Sequence, residues 1–221
     1  MPESKLDLKK RRIRAFFLTL EKKHKKHEET EELEEKISKE GMVYLQMRLP
    51  VEKITEEFEN SLKEKIEHNI IKANIREATE SDLENLMNLY NRAWLTTNTP
   101  FRPINVESLK LIFDDPLTVI LIAKVYGQDS GFVILDFEGK HQEMGVIAGL
   151  GVIPRFQRRG LGTILGMAAW NYFKEKGVKE LRCEVYKDNE ISKSFIKWIG
   201  FDEIGEKRYK KDDFLLSERN S

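Results

Sequence analysis

The apolar positions of this 221-residue chain change period several times, and each change marks an element. From Leu6 to about Lys39 the spacing is helical: Ile13, Phe16, Phe17 and Leu20 fall at i, i+3, i+4 and i+7 among lysines and arginines, and Gly41 is a natural stop. The stripe thins to Leu33 and Ile37, so the second half of this helix is expected to be solvated. Val43, Leu45, Met47 and Leu49 then alternate with Tyr44, Gln46 and Arg48, the period of a half-buried strand that Pro50 closes. Next, Ile54, Phe58, Leu62, Ile66 and Ile70 recur every four positions. That spacing drifts by about 40° per step on an α-helix, so a bent or surface-wrapping helix is predicted.

From Asn74 the texture changes to short alternating strands and helices. Ile75 to Ala78 reads as a strand, and Thr79 with Asp82 as a capping-box start for a helix with Leu83, Leu86, Met87, Tyr90 and Trp94 on one face. An irregular loop, Thr96 to Pro103, leads through the cap Asn105 into a short helix around Leu109, Ile112 and Phe113. Val119 to Val125 and Gly131 to Phe137 read as a hairpin across a Gly-Gln-Asp-Ser turn. A third strand, Met144 to Val152, ends before Pro154. A helix then buries Leu161, Ile164, Leu165, Ala168 and Tyr172 and stops at Gly177, and Leu181 to Tyr186 is the next strand. Strand, helix, strand from 144 to 186 implies a parallel pair with a crossover helix. Asp188 or Asn189 caps a short helix carrying Ile191, Phe195 and Ile199, and Phe201 to Phe214 reads as a closing hairpin.

Charge adds little about partners, because 38 basic residues balance 38 acidic ones. Their distribution is uneven: a basic run from Lys9 to Lys26 precedes an acidic one from Glu28 to Glu35, as on a polar helix face or an interaction arm. Nucleic-acid binding is not expected, since it needs clustered, uncompensated positive charge. No stretch is apolar for long enough to span a bilayer and the charged start lacks a signal-peptide core, so no membrane role and a soluble, cytoplasmic protein are expected. Cys183, the single cysteine, alternates with Leu181 and Val185 and reads as core filler. His24 and His27 sit three apart without a third ligand, so no metal site is expected.

The chemistry concentrates in LGVIPRFQRRGLGT, Leu150 to Thr163. Gly160 and Gly162 follow Arg155, Arg158 and Arg159 and open a helix, so unpaired backbone N–H groups, the positive helix end and the arginines together favour a phosphate. A P-loop is excluded, because Gly162 is followed by Thr163 and Ile164, not by lysine. A dinucleotide fingerprint fits poorly: Gly166 is one place late, and Glu180 would begin its strand, not end it.

The wider constellation is Leu150-x-Val152-x-Pro154-x-x-Gln157-x-x-Gly160-x-Gly162, followed by Asn189 and Gly200-Phe201. It resembles the GNAT superfamily of N-acetyltransferases over about residues 74 to 217. The resemblance implies an α/β (α+β) fold: a mixed, mostly antiparallel twisted sheet with a central parallel β-α-β crossover. Residues 1–73 would be a mainly helical extension and 74–221 the acetyltransferase domain. It implies that Gln157, Arg158, Arg159, Gly160, Leu161, Gly162 and Thr163, with Asn189, hold acetyl-CoA, and that pantetheine bonds the backbone at Leu150 and Val152. Gly145, Gly149 and Gly151 fit a strand that bulges and admits a ligand close to its backbone.

Acetyl transfer needs a base for the amine, a donor for the oxyanion and an acid for the thiolate. The Val152 N–H is the expected oxyanion donor. Glu184 is the expected base, at a position where some protein amino-terminal acetyltransferases carry histidine; otherwise it pairs with charges on a solvated face. The chain departs from the family pattern at Val146, where histone-type members place a glutamate, and at Ile196, where many carry a proton-donating tyrosine. Tyr186, Tyr209 or water would then serve as the acid. Trp94, Phe101 and Arg102 would shape the pocket for an amine of a small molecule, protein or peptide, unless the aromatics simply pack. A homodimer is compatible with the pattern. The competing reading is an acyl-CoA-binding or interaction protein with reduced or no catalysis, using its amino-terminal helices as the partner surface.

Overall fold

Strands that alternate apolar and polar residues bury one face of a sheet that pairing builds, and among the described residues seven runs pair into one sheet. The computed structural model describes residues 41–68, 71–94 and 103–210. The strands are β1 (Met42–Pro50), β2 (Ala73–Glu77), β3 (Thr118–Val125), β4 (Gln128–Glu138), β5 (Met144–Val152), β6 (Glu180–Tyr186) and β7 (Asp202–Tyr209). They lie in the order β2-β3-β4-β5-β6-β1-β7. Only β5 and β6 run parallel, joined by a crossover helix. The fold is therefore the mixed, mostly antiparallel α/β (α+β) architecture that the sequence implies.

The helices among the described residues are α1 (Glu56–Glu67), α2 (Leu83–Trp94), α3 (Val106–Phe113), α4 (Leu161–Glu175) and α5 (Glu190–Trp198). Side-chain oxygens cap three of them: Thr55 accepts from the Phe58 N–H, Asn105 from Ser108 and Asn189 from Ser192. The Thr79–Asp82 capping box leads into α2, as its spacing predicts. α4 covers one face of the sheet, with Phe173 edge-on to Phe137 at 5.3 Å. α2 covers the other, with Tyr90 stacked on Phe132 at 5.4 Å. α1 packs on α4 through Glu59, which accepts from Trp170 Nε1 at 2.8 Å and Lys174 Nζ at 2.7 Å.

Several elements differ from expectation. β1 lies between β6 and β7, so the segment read as an extension supplies a strand to the sheet. Its inward residues Leu45, Met47 and Leu49 need apolar neighbours, and those of β6 provide them. No closing hairpin forms within the described part of Phe201 to Phe214: β7 pairs with β1, Tyr209 opposite Met42. The β3–β4 turn is tighter than predicted, because Tyr126 and Gly127 both take positive φ (49° and 80°), the geometry that two-residue hairpins favour. α1 ends at Glu67, too short for its four-residue spacing to rotate the apolar stripe far. The helix predicted from Leu6 to Lys39 lies outside the described residues, with His24, His27 and both charge runs; so do Phe101 and Arg102. No described helix is long and apolar enough to cross a membrane.

Candidate active site

The cradle is a local consequence of its sequence. A turn at Pro154–Phe156 is followed by Arg158 at φ 56° and Gly160 at φ 83°, after which α4 starts at Leu161. α4 has no side-chain cap and no acidic residue in its first turn. Its first helical bond runs from the Ile164 N–H to the Gly160 carbonyl at 3.1 Å, so the N–H groups of Leu161, Gly162 and Thr163 have no acceptor within the helix. Arg158 and Arg159 are exposed beside them. A Cβ at Gly162 would have Phe195 of α5 as its nearest neighbour, at 3.6 Å, whereas Gly166 one turn on lines the apolar cavity between α4 and α1. The cradle is thus basic and rich in donors, which fits a pyrophosphate.

Next to it the sheet opens. β5 and β6 pair only from Met144 opposite Glu180 to Ile147 opposite Cys183, although they run on to Val152 and Tyr186. A register shift against β4 leaves Ala148 as the extra residue of a bulge at the point of parting. Beyond it the Ile153 N–H donates to the Ser130 carbonyl at 3.0 Å. Amide direction reverses at each residue along a strand, so Leu150 and Val152 turn their N–H and C=O groups away from β4, toward the opening. Gln157 Nε2 donates to the Val152 carbonyl at 2.9 Å, tying the cradle to the strand end.

Two of the β5 glycines serve packing, which corrects the ligand role expected for them. A Cβ on Gly145 would lie 2.7 Å from the Phe173 ring, and one on Gly151 would lie 2.5 Å from Phe132 and 2.9 Å from Ala93. They let α4 and α2 approach the strand. The bulge at Ala148 is what opens it.

At the apex of the opening stands Glu184. Arg182, Glu184 and Tyr186 share the face opposite buried Leu181, Cys183 and Val185, as alternation predicts. Glu184 receives the Tyr209 hydroxyl at 3.0 and 2.9 Å from its two carboxylate oxygens, whereas Arg182 and Arg48 both bond Glu180. Tyr209 is buried, and burial together with the Glu184 charge pushes its phenol far above the ordinary range, so it stays a donor. Tyr186 is pushed up to about 12, chiefly by burial and then by Asp188. The Tyr44 ring packs edge-on to both, 5.7 Å from Tyr186 and 5.6 Å from Tyr209.

The remaining expected positions are more remote from chemistry. Asn189 is buried and its side chain caps α5 through the Ser192 N–H at 3.1 Å. Ile196 is buried, so that position faces the core. Trp94 ends α2, its ring tilted against Tyr90 at 5.9 Å. Sequence reasoning missed Asp136, a buried carboxylate directly across from Val146, although one aspartate inside an apolar strand is a signal in itself. It also missed Tyr44 and Gln46, which only the placement of β1 brings to this face. Among the described residues no group of three or more His, Cys, Asp or Glu side chains could hold a metal.

The model of the acetyltransferase (GNAT) family matches residues 83–201, more than half of the chain. The chain belongs to the GNAT acetyltransferase family. An uncharacterized N-acetyltransferase of Methanocaldococcus jannaschii is 27% identical over 144 residues, which are 62% of this chain and 64% of that protein, so the chain spans less than two thirds of this relative's length. The PaiA N-acetyltransferase of Thermoplasma acidophilum, solved with coenzyme A, shares the fold with a TM-score of 0.53 at 22% identity, over 62% of this chain and 99% of that one. The ribosomal-protein-S18-alanine N-acetyltransferase of Escherichia coli gives 0.52 at 19% identity, over 61% and 80%. AAC(6')-Iy, solved with a bisubstrate analogue, gives 0.51 at 21% identity, over 61% and 93%.

Proposed function

We propose that this chain is an acetyl-CoA-dependent N-acetyltransferase acting on a primary amine of a small molecule or of a protein or peptide. The observation that carries this reading is the parting of β5 from β6, with an uncapped basic helix start at one end and a held carboxylate at the other. Bound acetyl-CoA supplies an acetyl group activated as a thioester. The N–H groups of Leu161, Gly162 and Thr163, with Arg158 and Arg159, hold its pyrophosphate, and the outward backbone groups of Leu150 and Val152 hold its pantetheine arm. The Val152 N–H is the donor for the carbonyl oxygen as it gains charge. Amines of lysine type have a pKa of about 10.4, so a base must take a proton at neutral pH, and Glu184 does so. Tyr209 keeps that carboxylate oriented, and Tyr186, which retains its proton to about 12, is the donor on the side of the leaving thiolate. The solved structures that hold coenzyme A or a CoA bisubstrate analogue support the cofactor assignment, and the names of an aminoglycoside acetyltransferase and a ribosomal-protein-alanine acetyltransferase of the same fold support an amine acceptor.

Calorimetric titration with acetyl-CoA and release of free thiol with a panel of amines and peptides test this reading. Failure to bind acetyl-CoA at micromolar to millimolar levels overturns it. Binding without transfer to any acceptor favours the acyl-CoA-binding reading instead, for which Val146 and Ile196 speak.

A further inference from the structure

Gln46 of β1 stands directly across from Glu184, on the face that carries Tyr44 and Tyr186. Glu184 is turned to Tyr209, and the Gln46 Nε2 is shut off from solvent with no hydrogen-bond partner among the described residues. On the other side of β1, Gln46 meets Gly205 of β7, where a Cβ would touch nothing within 4 Å. A carboxylate, an unspent donor and an open space thus lie side by side on three neighbouring strands. Gln46 and Gly205 fall outside the residues that the family model matches, and Glu184 falls inside them.

A donor that has lost water without gaining a partner is a cost to the folded protein, and a ligand oxygen removes it. An amide nitrogen has hydrogens to give and no lone pair to offer, so its complement is an oxygen and not a second amine. Resting on the acetyltransferase reading with Glu184 as base, we infer that Gln46 selects the acceptor: an amine that carries a carbonyl or hydroxyl oxygen on the carbon next to the amine-bearing one. Cross-strand neighbours on one face have Cβ atoms about 4.5–5.5 Å apart, so one small molecule reaches both side chains only if its amine and its oxygen are a few bonds apart. An α-amino amide, as at a peptide amino terminus, and an amino alcohol, as on an amino sugar, both meet that condition. A plain alkylamine leaves Nε2 unpartnered, and a site built to bond a substrate group discriminates against the analogue that lacks it.

Two matched pairs test this on the full chain: glycinamide with isobutylamine, and ethanolamine with propylamine. The ratio of kcat/KM within each pair, divided by the same ratio in Gln46→Leu, cancels the intrinsic reactivity of the amines. The expected quotient is about tenfold or more in at least one pair. The glycinamide pair responding identifies a peptide terminus, the ethanolamine pair an amino alcohol. A quotient near one in both pairs overturns the inference, as does an equal fall in kcat for all four amines, which would assign Gln46 to the acetyl group. Calorimetry of the same amines with CoA-saturated protein gives the quotient without turnover. Discrimination in binding but no transfer keeps Gln46 and sinks the transferase reading; transfer without discrimination does the reverse; neither one overturns both. Gln46→Met, similar in length but lacking the donor, takes the place of Gln46→Leu if that variant loses acetyl-CoA binding.

Discussion

Tyr209→Phe removes a single oxygen from the site. The ring that packs 5.6 Å from Tyr44 stays, so no cavity opens and the core at the β7 edge is preserved. What goes is the hydroxyl that lies 3.0 and 2.9 Å from the two oxygens of Glu184. A hydrogen bond to a charged group contributes about 1.5–3 kcal/mol, and the partial exposure of Glu184 places the loss near the low end, about 1.5–2 kcal/mol. At about 1.4 kcal/mol per factor of ten, kcat should fall about 10- to 30-fold, while KM for acetyl-CoA stays unchanged because the cradle is at the other end of the opening. Initial rates at saturating acetyl-CoA would measure this. Tyr209 keeps its proton well above the usual phenol range, so the deficit should be constant from about pH 7 to 9. The reasoning is refuted if Tyr209→Phe is less stable yet keeps its kcat. It is also refuted if the losses from Tyr209→Phe and Glu184→Gln simply add in the double variant, since groups acting as one unit are not additive.

Gly160→Ala forces a side chain into a left-handed position at φ 83°, a cost of about 1–2 kcal/mol, and should weaken acetyl-CoA binding about tenfold by calorimetry. Gly151→Ala places a Cβ 2.5 Å from Phe132. Overpacking of this kind costs about 1–3 kcal/mol, so Tm should fall by about 2–10 °C, and an unchanged melt would deny the close approach of the Phe132 ring of β4 and of Ala93 of α2. Acid should destabilise the fold through Asp82 and Glu59. Bonds from Arg76 hold Asp82 well below the usual carboxylate range, and a bond from Lys174 lowers Glu59. Groups lowered on folding contribute stability above their unfolded values, about pH 4, and lose it as pH falls through the folded ones. The urea midpoint should therefore begin to drop below about pH 5 and go on dropping below about pH 3 in the wild type, and drop less in Asp82→Asn.

The cradle and most elements could be read from the chain because they depend on neighbours in sequence. Gly160, Gly162 and the arginines act within one turn, and the caps at Asn105, Asn189 and Thr79 reach three residues. The parallel β5–β6 crossover followed from a strand, a helix and a strand in succession. The glycines of β5 misled because a glycine in a strand has two uses, admitting a ligand or admitting a helix. Only the rings of Phe173 and Phe132 decide between them.

Sequence alone determined a GNAT-like sheet with an uncapped, basic helix start and a carboxylate, Glu184, on the outward face of the strand beside it. The tertiary structure decided what surrounds that carboxylate. β1 takes the place between β6 and β7, which puts Gln46 across from Glu184 and brings the Tyr209 hydroxyl onto its oxygens. Periodicity specifies which side of a strand is buried. Which strands become neighbours is settled by the fit of apolar faces far apart in sequence, and in this chain that fit sets the surroundings of the proposed base.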